Sequence, residues 1–322
     1  MKIPSLRTKD LLTVTDCSRE EILELFAFTE KLKAQTKAGR QHHILKGKTL
    51  GMVFEKSSTR TRVSFETGIL QLGGHALFLS KNDIQLGRGE TIGDTAQVLS
   101  RYVDGIMLRT FAHDTIIGLA DNASIPVING LSDSFHPCQA LTDFFTIYER
   151  EKDFSHVKLA YVGDGNNVAC SLLLTAGILG VDISIACPGK YMPDRKVVDA
   201  AQKLAAATGA KVQITSDIDE AVQSATYLYT DVWVSMGMEK DTAKRKKDFK
   251  KYQINRKLLD KCAPGCRVLH CLPAHRGEEI TDDVMDSPQS IVFDQAENRL
   301  HLQKALMCAL MGKNRKGVFS WI

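Results

Sequence analysis

The sequence lacks the features that direct a chain into a membrane or onto a nucleic acid. No apolar run approaches the roughly 20 residues that a membrane-spanning helix needs. The first 16 residues alternate in charge and show neither the apolar core of a signal peptide nor the arginine-rich pattern of a transit peptide. An excess of one charge is missing as well, since 42 basic and 38 acidic residues leave a net charge of +4. We therefore expect a cytoplasmic protein without membrane or nucleic-acid partners.

Internal repeats of the solenoid type and low-complexity tracts are also absent. The chain has 322 residues, of which 43% are hydrophobic and 25% are charged. This is the balance of a globular protein, and the length predicts two domains or one large one. A small net charge still leaves room for a basic cleft that faces anionic substrates.

The eight cysteines are scattered along the chain, which indicates reduced thiols and not a disulfide framework. One group, Cys262, Cys266, His270 and Cys271, is spaced loosely like the ligands of a structural zinc ion. However, His270 and Cys271 end an apolar run that is typical of a buried strand, so the four side chains would not readily converge. We expect neither a metal nor a cofactor.

Short apolar segments alternate with segments of helical periodicity in both halves of the chain, which predicts an α/β fold with a parallel sheet flanked by helices in each of two domains. The predicted strands are Thr49–Phe54, His75–Leu79, Gly105–Leu108, Pro126–Ile128, Val157–Val162, Asp182–Ala186, Lys211–Ile214, Thr226–Tyr229, Arg267–Cys271 and Ser290–Phe293. The predicted domains are residues 1–150 and 151–294, with a C-terminal helix, 295–322, that packs back onto the first. An active-site cleft is expected between the domains.

Polar side chains follow strand after strand, at the edge where open parallel sheets bind their ligands. The most informative cluster is the run from Ser58 to Thr61, because three hydroxyl groups surround Arg60 at the start of a predicted helix. Free N–H groups at a helix N-terminus and a planar guanidinium both match phosphate oxygens. An ordinary N-cap needs only one hydroxyl. The sequence therefore predicts a phosphate site here.

Several of these clusters, in order along nearly the whole chain, resemble the motifs of the aspartate and ornithine carbamoyltransferase family. The run Phe54-Glu-Lys-Ser-Ser-Thr-Arg-Thr-Arg62 is similar to its carbamoyl-phosphate motif, and His136-Pro-Cys-Gln139 to its second such motif. Asp231 with Ser235-Met-Gly237, and His270-Cys-Leu-Pro273, are similar to the ornithine-specific branch. The resemblance implies transfer of a carbamoyl group from carbamoyl phosphate to the side-chain amine of ornithine, giving citrulline and phosphate. It also implies a homotrimer, or a multiple of trimers, with active sites shared between subunits.

The resemblance further implies a role for each matching residue. Arg109, His136, Cys271 and Asp231 would be catalytic. Carbamoyl phosphate would be bound by Ser58, Thr59, Arg60, Thr61, Gln85 (from a neighbouring subunit), Arg109, His136, Pro137, Cys138, Gln139, Cys271, Leu272 and Arg299. Ornithine would be bound by Asn167, Asp231, Ser235 and Met236. His136 could instead be a loop histidine and Cys271 a core thiol, and both alternatives stay open at this stage.

Two other classes of protein compete with this interpretation. A dinucleotide-dependent dehydrogenase is suggested by Gly163-x-Gly165 between a strand and a helix, but Val168 replaces the third glycine and no carboxylate follows the next strand. A phosphate-binding module without catalysis would not need both Arg109 and His136. Among acceptors, aspartate would be repelled by Asp231, whereas putrescine and lysine remain possible. The sequence also does not decide whether the reaction serves arginine synthesis or arginine breakdown.

The basic stretch from Lys240 to Lys251 has two interpretations. The simpler one is a solvated helix face. The other is a mobile lid that follows Ser235-Met-Gly237 and uses Gly237 as a hinge.

Overall fold

The computed structural model describes residues 2–82, 84, 89–235, 237 and 239–312. Two predicted site residues, Gln85 and Met236, lie outside this part of the chain. The strands are β1 Thr49–Phe54, β2 His75–Ser80, β3 Gly105–Arg109, β4 Val127–Leu131, β5 Lys158–Val162, β6 Asp182–Ala186, β7 Val212–Thr215, β8 Tyr227–Thr230 and β9 Arg267–His270. The helices are α1 Arg19–Lys37, α2 Thr59–Gln71, α3 Ile92–Tyr102, α4 His113–Asn122, α5 Pro137–Glu151, α6 Asn167–Leu179, α7 Arg195–Thr208, α8 Ile218–Val222, α9 Thr242–Phe249, α10 Arg256–Leu259, α11 Asp282–Met285 and α12 Val292–Met311.

The chain forms two compact units. Unit 1 comprises the chain up to Leu12, Asp16–Ser132 and the chain from Leu300 on, and unit 2 comprises Thr13–Thr15 and Asp133–Arg299. Helix α5 thus belongs to unit 2, and α12 contributes residues to both units. The domain boundaries predicted at residues 150 and 295 stay predictions.

The sheet of unit 1 is parallel and has the strand order β2-β1-β3-β4. Strands β1 and β2 occupy one side and β3 and β4 the other, so the order reverses between β1 and β3. Phe54 and Arg109 are register partners at the ends of these two central strands. Because ligands bind where the strand order reverses, beyond the carboxyl ends of the strands, the loops after Phe54 and Arg109 mark the expected site of this unit.

The sheet of unit 2 is also parallel, with the order β7-β6-β5-β8-β9. Here the order reverses between β5 and β8, in which Tyr161 pairs with Tyr229. The loop after β5 leads to Asn166, and the loop after β8 begins with Asp231. Both loops therefore lie at the expected ligand-binding edge.

The central strands of both sheets are buried along nearly their whole length. Parallel strands covered by helices on both faces appear in the sequence as continuous apolar runs. For this reason nine of the ten predicted strands are present in the structure. The prediction of a strand at Ser290–Phe293 is wrong. Only Ser290 makes a single bridge, to Val268, and Val292 already begins α12. A run of three apolar residues cannot distinguish a strand from the buried start of a helix.

No helix in the described part of the chain is long and apolar enough to cross a membrane.

Candidate active site

The predicted phosphate site lies where β1 is followed by helix α2. Ser58 is the N-cap of this helix, and its Oγ accepts a hydrogen bond from the backbone N–H of Thr61 at 3.2 Å. The hydroxyl of Ser58 also donates to Thr61 Oγ1 at 3.1 Å. Thr59 is exposed and Arg60 is half-buried at the first turn, where the helix dipole favours an anion. Ser58 therefore serves as the cap, and the hydroxyl of Thr61 is held by a hydrogen bond from Ser58.

Arg109 reaches this helix start from the neighbouring strand. Its register with Phe54 places it beside the loop, and its Nη1 donates to Thr61 Oγ1 at 3.3 Å. The side chain is only 5% exposed. A buried guanidinium next to a helix N-terminus gives this corner a concentrated positive potential, which suits a phosphate or a developing oxyanion.

Two further contacts hold the loop between β1 and α2. Lys56 is buried, with its ammonium 4.1 Å from the ring centroid of Phe111. The hydroxyl of Thr110 donates to the carboxylate of Glu55. Together these contacts tie the loop after β1, just before the predicted site, to the loop after β3.

In unit 2, the predicted motif from His136 to Gln139 begins helix α5. His136 is the N-cap residue, and its backbone N–H donates to Ser171 Oγ at 2.8 Å. Pro137 occupies the first turn, where its missing N–H has no helical partner to lose. Burial raises the pKa of Cys138 to about 12, so that side chain is a protonated thiol in the core at neutral pH. His136 itself is 5% exposed.

Gln139 lies one turn into α5 and is held by two buried charged groups. Its Nε2 donates to Asp143 Oδ1 at 2.7 Å, and its Oε1 accepts from Arg299 Nη1 at 2.5 Å. The structure thus brings together Gln139 and Arg299, which are 160 residues apart. Asp143 was not predicted as part of any site.

The predicted ornithine site is centred on Asp231, directly after β8. Its Oδ2 accepts from Asn166 Nδ2 at 2.8 Å, and its Oδ1 accepts from Cys271 Sγ at 2.9 Å and from the backbone N–H of Val232 at 2.8 Å. Asn166 is at the same time the N-cap of α6. A carboxylate held by three donors at a strand end is a fixed negative charge, and it suits an ammonium group of a ligand.

The thiol of Cys271 is protonated in this setting. Burial, and after it the nearby Asp231 carboxylate, raise the pKa of Cys271 well above its ordinary value. A thiol is a poor nucleophile compared with a thiolate. Cys271 therefore acts as a hydrogen-bond donor to Asp231, and its geometry does not support covalent catalysis.

The chain around Cys271 is fixed by a buried histidine and carboxylate. His270 Nδ1 accepts from the backbone N–H of Leu272 at 2.8 Å, so its Nε2 carries the hydrogen that faces Glu279 Oε1 at 3.0 Å. Leu272 has a φ of 58°, which a non-glycine residue adopts only when its surroundings enforce it. The same Glu279 oxygen also accepts from the backbone N–H of His275.

Zinc was not predicted from the loose spacing of Cys262, Cys266, His270 and Cys271, and the structure places two of these residues near Asp231 instead. Asp231, His270 and Cys271 carry potential metal ligands within 4.8 Å of one another. Both ring nitrogens of His270 are already engaged, however, with Leu272 and Glu279. A metal-bound histidine would need one of them.

Gly165, the second glycine of the possible dinucleotide motif, lies where two backbone segments pack closely. A Cβ atom on Gly165 would lie 2.3 Å from the backbone nitrogen of Pro193 and 2.5 Å from the carbonyl oxygen of Tyr191. Only glycine fits at this close approach of two backbone segments. Gly165 therefore needs no nucleotide to account for it.

The basic stretch is not simply a solvated face. Arg245 of α9 is buried, donates to the carboxylate of Asp164 and, through Nε, to the carbonyl oxygen of Trp233 at 2.5 Å. Burial raises the pKa of Asp164 to about 6, and Arg245 acts in the opposite direction. Ser235 is half-buried two residues after Trp233. The ion pair therefore anchors α9 to the loop after β5, and the hydrogen bond to Trp233 anchors it to the loop after β8, which carries the ornithine motif.

Sequence reasoning missed four polar residues of these clusters. They are Asp143, Asn166, Asp164 (which had no assigned role) and Arg245. Asp143 follows Gln139 by four residues, a spacing that places both on one helix face and could have revealed it. Arg245 carried no such signal, because it lies in a run rich in lysine and nothing in the sequence distinguishes it from those lysines.

Comparisons with known proteins agree with this geometry. The family model described as aspartate/ornithine carbamoyltransferase, carbamoyl-P binding domain, matches residues 9–149. The model described as aspartate/ornithine carbamoyltransferase, Asp/Orn binding domain, matches residues 155–310. The chain belongs to the aspartate/ornithine carbamoyltransferase family.

Individual members of the family are similar over almost the full length. The chain is 52% identical to an ornithine carbamoyltransferase of Thermococcus kodakarensis over 310 residues, which cover 96% of this chain and 98% of that protein. It is 56% identical to the enzyme of that name from Oceanobacillus iheyensis, with 95% of each chain covered. The solved structure of ornithine carbamoyltransferase from Pyrococcus furiosus superimposes with a TM-score of 0.92 at 51% identity, covering 97% of this chain and 99% of that one.

Proposed function

We propose that this protein transfers the carbamoyl group of carbamoyl phosphate to the side-chain amine of L-ornithine, forming L-citrulline and phosphate. The observation that carries the proposal is the Asp231 carboxylate, which three donors hold at the end of β8. It offers a fixed counter-charge to an α-ammonium group. The names of similar proteins support the same reaction.

The proposed roles follow the family resemblance. The phosphate of carbamoyl phosphate is bound by Ser58, Thr59, Arg60 and Thr61, and by Gln85 of a neighbouring subunit. Its carbamoyl end is bound by Thr61, Arg109, His136 and Gln139. Cys271 and Leu272 line the reacting end. The carbamoyl-phosphate site is completed by Pro137, Cys138 and Arg299. Ornithine is bound by Asn167, Asp231, Ser235 and Met236.

The chemistry follows from these assignments. The neutral side-chain amine attacks the carbonyl carbon, and negative charge develops on the carbonyl oxygen. The C–O bond to phosphate then breaks, and the nitrogen loses one proton, which ends on the departing phosphate. Donors from Arg109, His136 and Thr61 stabilise the oxyanion, an effect commonly worth about 3–4 kcal/mol per donor. Arg60 and the N-terminus of α2 stabilise the departing phosphate.

We further propose that the protein works as a cytoplasmic homotrimer, or a multiple of trimers. Its eight cysteines are free thiols, as in a reducing compartment. In the single chain, Val63 and Leu70 lie two turns apart on one face of α2 and are 54% and 66% exposed, and Leu77 of β2 is 48% exposed. Large exposed apolar side chains on adjacent elements are typical of an association surface.

An acceptor panel tests the proposed reaction. Ornithine, lysine, putrescine and aspartate are each offered with carbamoyl phosphate, and the carbamoylated product is measured. We expect ornithine to exceed every other acceptor in kcat/KM, because only an acceptor with an α-amino acid head and the right chain length uses Asp231 fully. Equal or faster turnover of putrescine would contradict the assignment.

A further inference from the structure

The carboxylate of Asp143 is fully buried and joins four elements of unit 2. Asp143 lies on α5, and its Oδ1 accepts from Gln139 Nε2 at 2.7 Å and from Gln295 Nε2 at 2.6 Å. Its Oδ2 accepts from the hydroxyl of Tyr229 on β8 at 3.0 Å. Gln295 belongs to α12, and its Oε1 accepts from the backbone N–H of His270, the last residue of β9, at 2.9 Å. Breaking the hydrogen bonds of a buried acceptor with three donors costs free energy, so the acceptor fixes the groups around it.

Asp143 decides which way the Gln139 amide points. A carboxylate only accepts hydrogen bonds and a guanidinium only donates them. With Asp143 on one side and Arg299 on the other, the Gln139 nitrogen must face Asp143 and its oxygen must face Arg299. Within the described part of the chain, this leaves the amide one N–H and one lone pair for a ligand. If Asp143 became a donor, the amide nitrogen would lose its acceptor, and only Arg299 would still hold the amide through its oxygen.

Each of the four elements that Asp143 joins supplies a residue to the proposed site. Helix α5 carries Gln139, and α12 carries Arg299. Strand β8 leads into Asp231, and β9 leads into Cys271. Through Gln139, Tyr229 and Gln295, the contacts of Asp143 therefore reach the segments that carry these residues.

We propose that Asp143 is a positioning residue, which orients Gln139 and Arg299 for carbamoyl phosphate and holds the ends of β8 and β9 in place. The inference rests on the proposed function. Asp143 does not touch the ligand itself, and it acts through the Gln139 amide. Its effect is therefore expected mainly on carbamoyl phosphate, with a smaller effect on ornithine.

The ionisation of Asp143 gives this role a pH dependence. Burial raises the pKa of Asp143 to about 7, against hydrogen bonds from Gln295, Gln139 and Tyr229 and the charge of Arg299. Arg299, Tyr229 and Cys271 are the titratable or charged groups that face it. Since the folded-state pKa is raised, protonation stabilises the fold, and that stability is lost as pH rises through about 7. The folded protein is thus less stable with Asp143 ionised, the form that orients Gln139, than with Asp143 protonated.

Replacing Asp143 with asparagine tests the inference, because the two side chains have the same shape. We expect the KM for carbamoyl phosphate to rise by about tenfold or more in D143N, the usual cost of losing a buried hydrogen bond to a charged group. The KM for ornithine should change less. Between pH 6 and pH 8, the ratio of wild-type to variant affinity for carbamoyl phosphate should increase with pH, and the ionisation of the ligand cancels in that ratio.

Thermal unfolding separates positioning from a merely structural role. At pH 8 the melting temperature of D143N should equal or exceed that of the wild type, because the variant buries no charge. T142V is the matched control: its hydroxyl is buried on the same helix and donates only to the carbonyl oxygen of Cys138. That variant should keep the wild-type KM values.

The possible results discriminate between the claims. An unchanged KM for carbamoyl phosphate in D143N, with the wild type active, would overturn the role of Asp143 and leave the proposed function intact. Wild-type protein that uses no acceptor would overturn the proposed function itself. If D143N does not fold, Y229F decides, since it removes the hydroxyl that donates to Asp143 and that also accepts from Gln295 Nε2 at 3.3 Å. At least about a threefold rise in the same KM is expected there, and no change would overturn the inference.

Discussion

Arg109 and Thr61 are 48 residues apart in the chain, yet the guanidinium of one donates to the hydroxyl of the other at 3.3 Å. The contact exists because β1 and β3 are neighbours in the sheet, with Phe54 and Arg109 in register. It joins the end of one strand to the helix that follows another. The positive charge of Arg109 is thereby held at the N-terminus of α2, where an anion is most stabilised.

The first prediction concerns Arg60, at the first turn of the same helix. We expect R60K to lower kcat/KM for carbamoyl phosphate by about tenfold or more, because an ammonium group cannot reproduce the two-pronged contact of a guanidinium with phosphate. R62K is the matched control, since Arg62 is exposed two residues further on and pairs with Glu66 at 3.3 Å. Steady-state kinetics with near-native values for both variants would show that Arg60 is a surface residue.

The second prediction concerns Asp231. D231N should lower the affinity for ornithine by about tenfold or more, since a charge-assisted hydrogen bond to the ammonium is lost. Carbamoyl-phosphate binding, measured by calorimetry, should stay within about twofold of the wild type. D260N is a suitable control, because Asp260 is an exposed carboxylate of unit 2 whose ion pair among the described residues is with Arg256, four residues earlier. Loss of carbamoyl-phosphate affinity in D231N would refute the separate roles proposed for the two motifs.

The third prediction concerns the buried pair of Arg245 and Asp164. R245M should lower the free energy of unfolding by about 3–5 kcal/mol, because it leaves the Asp164 carboxylate buried without its partner. Burial already raises the pKa of Asp164 to about 6, and without Arg245 that pKa should rise further. The loss should therefore be larger at pH 8 than at pH 5, where the carboxylate is neutralised.

Denaturant titrations at the two pH values check this result. R256M, which breaks the exposed pair with Asp260, should change stability by no more than about 1 kcal/mol at either pH. Equal losses in R245M and R256M would mean that the pair with Asp164 does not anchor α9.

The fourth prediction tests the proposed sharing of sites in a trimer. Q85E, which sets a carboxylate against the phosphate, and R109A, which removes an oxyanion donor, should each be nearly inactive. When the two are unfolded and refolded together in equal amounts, a site is native only if its own chain carries Arg109 and its neighbour carries Gln85. Random assembly into a cyclic trimer should then restore about a quarter of wild-type activity. Activity that does not exceed the sum of the separate variants, with mixed trimers confirmed by native mass spectrometry, would mean that each site is built by one chain.

Local patterns in the sequence were sufficient for the fold class and for much of the candidate site. Buried parallel strands are continuous apolar runs, so nine strands were predicted close to their observed bounds. The alternation with helices then implied two parallel sheets. Ser58 could be predicted as both cap and phosphate ligand, because the requirements of a helix N-terminus are local.

What the local pattern could not supply is the partner of each side chain. Arg245 lies in a run of exposed lysines, and only the packing of α9 turns it inward to Asp164. In the sequence, Asp143 looks like any other acidic residue of a helix. Only the tertiary structure brings Tyr229 and Gln295, from distant segments, into hydrogen-bonding contact with it. The sequence by itself determined which residues stand at strand ends. The order of the strands in the sheets, which depends on contacts between distant segments, decided which of those ends are neighbours and which charges are buried together.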